Sequence, residues 1–173
     1  GAKVHDALSP RVAVVDLNFV FKNHIDLQRR VDQMKAEAKL ADLEMKTRQE
    51  DIKRFRDELA ELEAGDPQRE KMVKEMTQAV EALKVHRDRQ VKLFKQREAE
   101  IYYTIYQDIQ DELHDYIEET DIDVVIRFNG EPMDRSDPES VVKKLNQGVV
   151  LAKRHADLTP IILDRVNSKA APN

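Results

Sequence analysis

Apolar residues in the first third of the chain recur at alternating steps of three and four. The series begins at Leu17 and ends at Leu62, with polar breaks at His24 and Arg48. A mean spacing of about 3.5 residues is typical of a coiled-coil seam, so the pattern predicts a long helix. His24 falls on the seam, where a polar seam residue is the simpler interpretation and a metal ligand the alternative. The apolar seam residues are Leu17, Val20, Leu27, Val31, Met34, Ala38, Ala41, Met45, Ile52, Phe55, Leu59 and Leu62.

A single break, Gly65-Asp66-Pro67, divides this helix from a second one of similar length that ends at Glu119. Glycine suits the left-handed position after a helix, whereas Asp and Pro suit the N-cap and the first helical position of the next. The sequence therefore predicts an antiparallel hairpin over residues 17–119 with its tip at 65–67 and no other break. Facing residue numbers should sum to about 131, because both helices rise equally per residue.

The seam of the return helix is weaker than that of the first helix. It includes two polar positions, Arg87 and Gln90, and then widens after Ile101 into a broad apolar face. A broad face indicates packing against more than one neighbour. The expected seam residues are Val73, Met76, Val80, Leu83, Arg87, Gln90, Phe94 and Ile101.

Short β-branched runs outside the hairpin predict three strands, at 12–15, 122–128 and 149–155. A short helix is expected from Ser136 to near Gly148, and a last one from Ile161 to Val166. We therefore predict an α+β, mostly α class, with a hairpin tentacle and a small β-rich body formed by residues 1–16 and 120–173. Residues 131–147 form an insertion between body strands.

Three short strands make a marginal core alone, so we expect several subunits to share one sheet or barrel. Any number of subunits that completes such a sheet or barrel is compatible with this pattern. The residues expected in this oligomeric body are Val12, Val14, Ile105, Ile109, Val124 and Ile126.

The chain offers little to catalysis or metal binding. It has no cysteine, no paired histidines at helical metal-site spacing and no glycine-rich phosphate loop. We expect no enzyme activity, no metal and no cofactor. No apolar run reaches the about 20 residues that span a bilayer. The Gly1-Ala2 start is typical of a tag remnant, so we expect that a signal peptide has been removed.

Charge is unevenly distributed along the return helix although the net charge is only -5. Residues 84–97 carry many cations and one acid, Asp88, whereas residues 98–123 carry acids and no Lys or Arg. One interpretation is a solvated surface with cross-hairpin pairs, such as Glu44 opposite Arg87. The other is a binding surface for charged chains. The cations are Lys84, Arg87, Arg89, Lys92, Lys95 and Arg97.

Five apolar residues lie off the seam near one level of the hairpin. Scattered surface apolar residues are normal, which is one explanation. The other is an apolar lining that binds unfolded chains, and we take these residues as the candidate client-binding set. They are Leu40, Leu43, Val85, Val91 and Leu93.

Three segments in order along the chain, together with the hairpin, resemble the Skp or OmpH-like family of periplasmic chaperones. They are Val12-Ala13-Val14-Val15-Asp16 with Val20-Phe21, Asp121-Ile122-Asp123-Val124-Val125, and Asp157-Leu158-Thr159 with Ile162-Leu163. The resemblance implies a periplasmic homotrimer with a β-barrel body. Three helical tentacles would enclose a cavity that holds unfolded outer-membrane proteins without ATP.

Known members of that family are strongly basic, whereas this chain is acidic overall. We therefore expect at most weak membrane association and no nucleic-acid partner. The alternative function is a structural coiled-coil scaffold or spacer without clients. The imperfect seam with its off-seam apolar residues favours the holdase chaperone.

Overall fold

The structure, a computed structural model, describes residues 10–170, so most of the expected N-terminal lead-in lies outside it. In chain order the elements are β1 (Val12–Val15), α1 (Leu17–Lys22), α2 (Ile25–Glu61), α3 (Pro67–Glu119), β2 (Val124–Arg127), α4 (Pro138–Leu145), a 3-10 turn (Arg154–Ala156) and α5 (Thr159–Ala170). The predicted mostly helical α+β class is confirmed. Residues 30–101 form one compact unit, and the remaining described residues form the other.

In the second of these units, β1 and β2 pair in parallel with Val12 opposite Val124. β1 follows the β-branched run predicted from the sequence. On its other side, β1 meets the chain at one point, where the Leu158 N–H donates to the Val14 carbonyl at 2.9 Å. Parallel strands need a long crossover, which the three helices between β1 and β2 supply.

The core of this unit is aliphatic and lies where β1, α1, α3 and α5 pack together. Of the predicted body residues, Val14, Ile105 and Ile109 are buried in this core. Val12, Val124 and Ile126, by contrast, are each more than 40% exposed. Its other buried apolar side chains are Ala13, Val15, Val20, Leu27, Leu158, Ile162 and Val166.

The predicted strand at 149–155 is wrong. Residues 149–153 have no regular structure, and Val150 and Leu151 are more than 90% exposed. A β-branched run becomes a strand only when its backbone groups find a partner. The position beside β1 is occupied by Asp157 and Leu158, so the run has no strand beside it within the described chain.

The prediction of a single break between Leu17 and Glu119 is also wrong, because a second interruption separates α1 from α2. Asn23 ends α1 by donating its backbone N–H to the Phe19 carbonyl at 3.1 Å. The buried His24 then begins α2, since its Nδ1 accepts the Leu27 N–H at 3.3 Å. The seam runs through this bend because Val20 and Leu27 both remain buried.

In the unit of residues 30–101, α2 and α3 pack as an antiparallel hairpin. Arg97 forms an ion pair with Glu37, and Arg69 donates to the carbonyl of Leu62 at 2.7 Å. Between them the chain turns at Gly65, whose φ is +111°. Asp66 accepts the Gln68 N–H at 2.8 Å, so it acts as the N-cap of α3.

The insertion at 131–147 folds into a loop and α4. Asp137 accepts the Glu139 N–H at 2.9 Å and so caps this helix. The Lys144 ammonium donates to the carbonyls of Asn129 and Glu131, both at 2.9 Å. These bonds tie the end of α4 back to the loop that leaves β2.

Candidate functional site

All five residues of the candidate binding set are exposed in the structure. Leu40, Leu43 and Val85 are 62–67% exposed, and Val91 and Leu93 are each 47% exposed. Single exposed apolar side chains are normal, whereas several that lie close together are typical of a surface that contacts another chain.

Two cross-hairpin contacts place these five residues at one level. On α2, Leu40 and Leu43 lie between Glu37 and Glu44. Glu37 forms an ion pair with Arg97 of α3, and Glu44 lies 3.9 Å from the Nε2 of His86. Val91 and Leu93 lie between His86 and Arg97, and Val85 precedes His86 directly. The structure therefore brings the five to the middle of the hairpin.

The seam predicted for the return helix is partly wrong. Val73 and Val80 are 43% and 46% exposed, whereas Met72 and Ala79 beside them are half-buried. Because Met72-Val73 and Ala79-Val80 are adjacent apolar pairs, the sequence does not tell which residue of each pair faces α2. In the structure Arg69 faces α2 and donates to the carbonyls of Leu59 and Leu62, and Met72, three residues later, lies on the same side of α3. Val73 and Val80 therefore belong to the exposed apolar surface, which apolar periodicity alone did not reveal.

Further along α3, the predicted pair between Glu44 and Arg87 is absent. Glu44 instead pairs with Arg48 one turn away on α2, at 2.7 Å, and this hydrogen bond lowers the pKa of Glu44. On α3, His86 and Gln90 are half-buried at this level, whereas Arg87 is exposed. Arg87 therefore stays available to a partner from outside the hairpin.

Most cations between residues 84 and 97 are, like Arg87, not paired with a carboxylate of the hairpin. In the part of the chain that the structure describes, Arg97 forms the cross-hairpin pair with Glu37. Over residues 10–170, none of the other five cations of this group lies within 4.0 Å of a carboxylate oxygen: Lys84, Arg87, Arg89, Lys92 and Lys95. Internal pairing therefore does not account for this concentration of positive charge.

A groove of about 540 Å³ lies between the two helices at the same level. We call it the mid-hairpin groove. Most of its wall area is apolar. The small side chains of Ala38 and Ala41 leave the space at the seam. Val91 of the candidate set is part of the wall, whereas Leu40, Leu43, Val85 and Leu93 are not among the residues that line it. The residues that line it are Ala38, Ala41, Asp42, Met45, Lys46, Gln49, Arg87, Gln90, Val91 and Phe94.

In the other unit, a polar cavity of about 260 Å³ is lined by His24, Asp26 and Glu112 among others. Glu112 is buried and forms an ion pair with Lys169, and this contact raises the pKa of Lys169. Over residues 10–170, no group of three His, Asp or Glu side chains is arranged to hold a metal ion. No helix among these residues is long and apolar enough to cross a membrane.

This chain matches a known protein family, and its fold is similar to that of a solved structure. The model of the family of OmpH-like outer membrane proteins matches residues 11–166. A crystal structure of an OmpH-like protein from Caulobacter crescentus CB15, described as a candidate outer membrane chaperone, has a TM-score of 0.59 at 13% identity. The alignment covers 93% of this chain and 86% of that one. Among curated proteins, none matches this chain.

The family match spans nearly the whole described chain, from the residue before β1 into α5. It includes the three segments that carry the resemblance and the hairpin between them. The resemblance stated from the sequence is thereby confirmed, and the chain belongs to the family of OmpH-like outer membrane proteins.

Proposed function

We propose that this protein is a holdase chaperone that binds unfolded outer-membrane proteins without ATP. The observation that carries the proposal is the exposed apolar set at the middle of the hairpin, which is 47–67% exposed. Membership of the OmpH-like family supports a chaperone role. The proposed location is the periplasm, where such clients are unfolded.

Each apolar spot on one hairpin is small, so a single contact binds weakly. We propose a homotrimer, in which three copies of the surface act on one client. Joining weak sites raises their effective concentration and strengthens the overall grip without new contacts. Release then needs no nucleotide, because each contact opens on its own and the client leaves when it folds elsewhere.

The test is a variant in which Leu40, Leu43, Val85, Val91 and Leu93 are all replaced by Ser. We expect it to lose most of its ability to suppress aggregation of an unfolded outer-membrane β-barrel protein. Its helix content and solution mass should not change, because all five side chains are exposed. Full activity in that intact variant would exclude this surface as the binding site.

A matched control removes exposed apolar side chains elsewhere. Val142 and Leu145 of α4 are 57% and 73% exposed, so Val142→Ser with Leu145→Ser removes two similarly exposed apolar side chains outside the hairpin. We expect this control to keep full activity. A structural scaffold without clients is the competing function, and it predicts no suppression of aggregation by the unaltered protein.

A further inference from the structure

One face of α3 combines cations and apolar residues beside the mid-hairpin groove. Val80, Lys84, Arg87, Val91 and Lys95 follow one another at steps of four, three, four and four. Residues at these steps lie on the same side of a helix. All five are exposed, and we call Lys84, Arg87 and Lys95 the basic stripe. A helix face that carries both cations and apolar residues suits a partner chain that carries both acidic and apolar side chains.

The groove walls have a composition that suits an aromatic side chain. Phe94 offers an aromatic ring, Met45 a thioether and Arg87 a guanidinium, and each of these interacts favourably with an aromatic partner. Ala38 and Ala41 keep the floor open. An aliphatic side chain would gain from burial there but not from these three contacts.

The charges around the groove favour an acidic partner. Lys46 and Arg87 line it with one carboxylate, Asp42, and Lys84 and Lys95 flank it on the stripe. Within residues 10–170, no carboxylate oxygen lies within 4.0 Å of the three stripe cations. An acidic segment would therefore meet cations that have not already been neutralised by neighbours.

We propose that the mid-hairpin groove binds an aromatic side chain of an extended client segment whose acidic residues contact the basic stripe. The inference rests on the proposed function for the source of that segment, since a holdase meets unfolded chains. Transmembrane β-barrels carry girdles of aromatic residues at both membrane interfaces, so their unfolded chains contain aromatic residues. The aromatic side chain supplies burial in the groove, and the acids fix the register along α3.

The experiment measures binding of a fluorescently labelled Gly-Ser peptide that carries one Trp flanked by Asp residues. Two companion peptides replace the Trp by Ala or the Asp residues by Lys. We expect each replacement to weaken binding by about fivefold or more, because each removes one of the two proposed contacts. Equal binding of all three peptides would overturn the proposal.

On the protein side, Ala41→Leu fills the groove, and Ala38→Leu fills it from a neighbouring position. Ala36→Leu is the matched control, because Ala36 is exposed on the same helix and does not line the groove. We expect about a fivefold or greater loss of peptide affinity in the groove variants and none in the control. Unchanged affinity in Ala41→Leu and Ala38→Leu, with helix content intact, would contradict the assignment.

The basic stripe has its own control. Arg87→Gln should weaken the Asp-flanked peptide, whereas Arg56→Gln, an exposed arginine nearer the turn, should not. Anionic phosphatidylglycerol vesicles are the other partner that such cations attract. If vesicles bind through Arg87 and the peptide does not bind, the stripe is a membrane contact and the proposal is wrong.

Failure of this inference is distinguishable from failure of the holdase function. If the protein suppresses β-barrel aggregation but Ala41→Leu does not affect peptide binding, the groove is excluded as the peptide site and the holdase function is retained. If peptide binding depends on the groove but the protein does not suppress aggregation, the holdase function is excluded and the peptide site is retained.

Discussion

The Asp16 carboxylate and the backbone of Gly130 form a hydrogen bond of 2.6 Å across 114 positions of the chain. The other oxygen of the same carboxylate accepts the Phe19 N–H at 3.0 Å and so caps α1. The Asp16 N–H in turn donates to the Thr159 hydroxyl at 2.8 Å. One buried residue at the end of β1 thereby ties together the start of α1, the loop after β2 and the start of α5.

Asp16→Ala should destabilise the protein by about 2–3 kcal/mol, because a helix cap is lost and the Gly130 N–H loses its partner. Urea unfolding at one fixed protein concentration measures the change. Asp137→Ala is the control, since it removes the cap of the exposed α4 only, and it should cost about 1 kcal/mol or less. Equal effects of the two substitutions would mean that Asp16 does not connect the elements around it.

Gly65→Val should destabilise the hairpin by about 1 kcal/mol or more, because a β-branched residue resists the φ of +111°. Gly148→Val is the matched control: an added Cβ there meets nothing within 4 Å, and the φ of Gly148 is not positive. Thermal unfolding followed by circular dichroism compares the two. A Gly65→Val protein as stable as the control would show that the turn does not need this conformation.

The ion pair between Glu119 and Arg165 predicts a pH dependence. The hydrogen bond from Arg165 lowers the pKa of Glu119 below its ordinary value of 4.5. A carboxyl with a lowered folded-state pKa stabilises the fold above the unfolded-state pKa. This stability disappears as pH falls through the lower value. Glu119→Gln should therefore be less stable than the unaltered protein at pH 7.

That difference should shrink as the pH falls below 4.5 towards about pH 3. The free energy of unfolding measured in urea across this range gives the profile. Glu118→Gln, an exposed neighbour, serves as the control. A difference between Glu119→Gln and the unaltered protein that stayed constant with pH would contradict the role of the pair.

Much of the fold follows from local signals in the sequence. Four β-branched or small apolar residues before Asp16 predicted β1. Asp16 itself, as an N-cap residue, predicted the start of the helix after it. Gly65, Asp66 and Pro67 each have a steric or hydrogen-bonding reason to end one helix and begin the next. The α2 seam was predictable because most residues between its seam positions are polar, with Leu40 and Leu43 among the exceptions.

The rest depends on contacts that sequence periodicity does not contain. His24 begins α2 through its ring nitrogen, whereas Ser, Thr, Asp and Asn are the usual N-cap residues. The adjacent pairs Met72-Val73 and Ala79-Val80 fit the seam equally well, so apolar periodicity alone does not tell which residue of each pair faces α2. Ala38 and Ala41 read as ordinary seam residues, and their small size reveals a groove only when both helices are in place.

Solution mass tests the proposed homotrimer. Light scattering should give about three times the chain mass of 20.1 kDa. We expect Val150→Asp with Leu151→Asp to lower this mass, because these nearly fully exposed residues are suited to contact with a second copy. Val142→Asp, on the exposed face of α4, is the control and should leave the mass unchanged. A monomer at micromolar concentration would contradict the trimer.

We propose above all that the protein holds unfolded outer-membrane proteins without ATP. The most direct measurement is light scattering as a β-barrel protein is diluted from urea, with and without this protein and with and without ATP. We predict that stoichiometric amounts of the protein suppress aggregation and that ATP changes nothing. Aggregation at the rate seen without the protein, or suppression only when ATP is present, would contradict it.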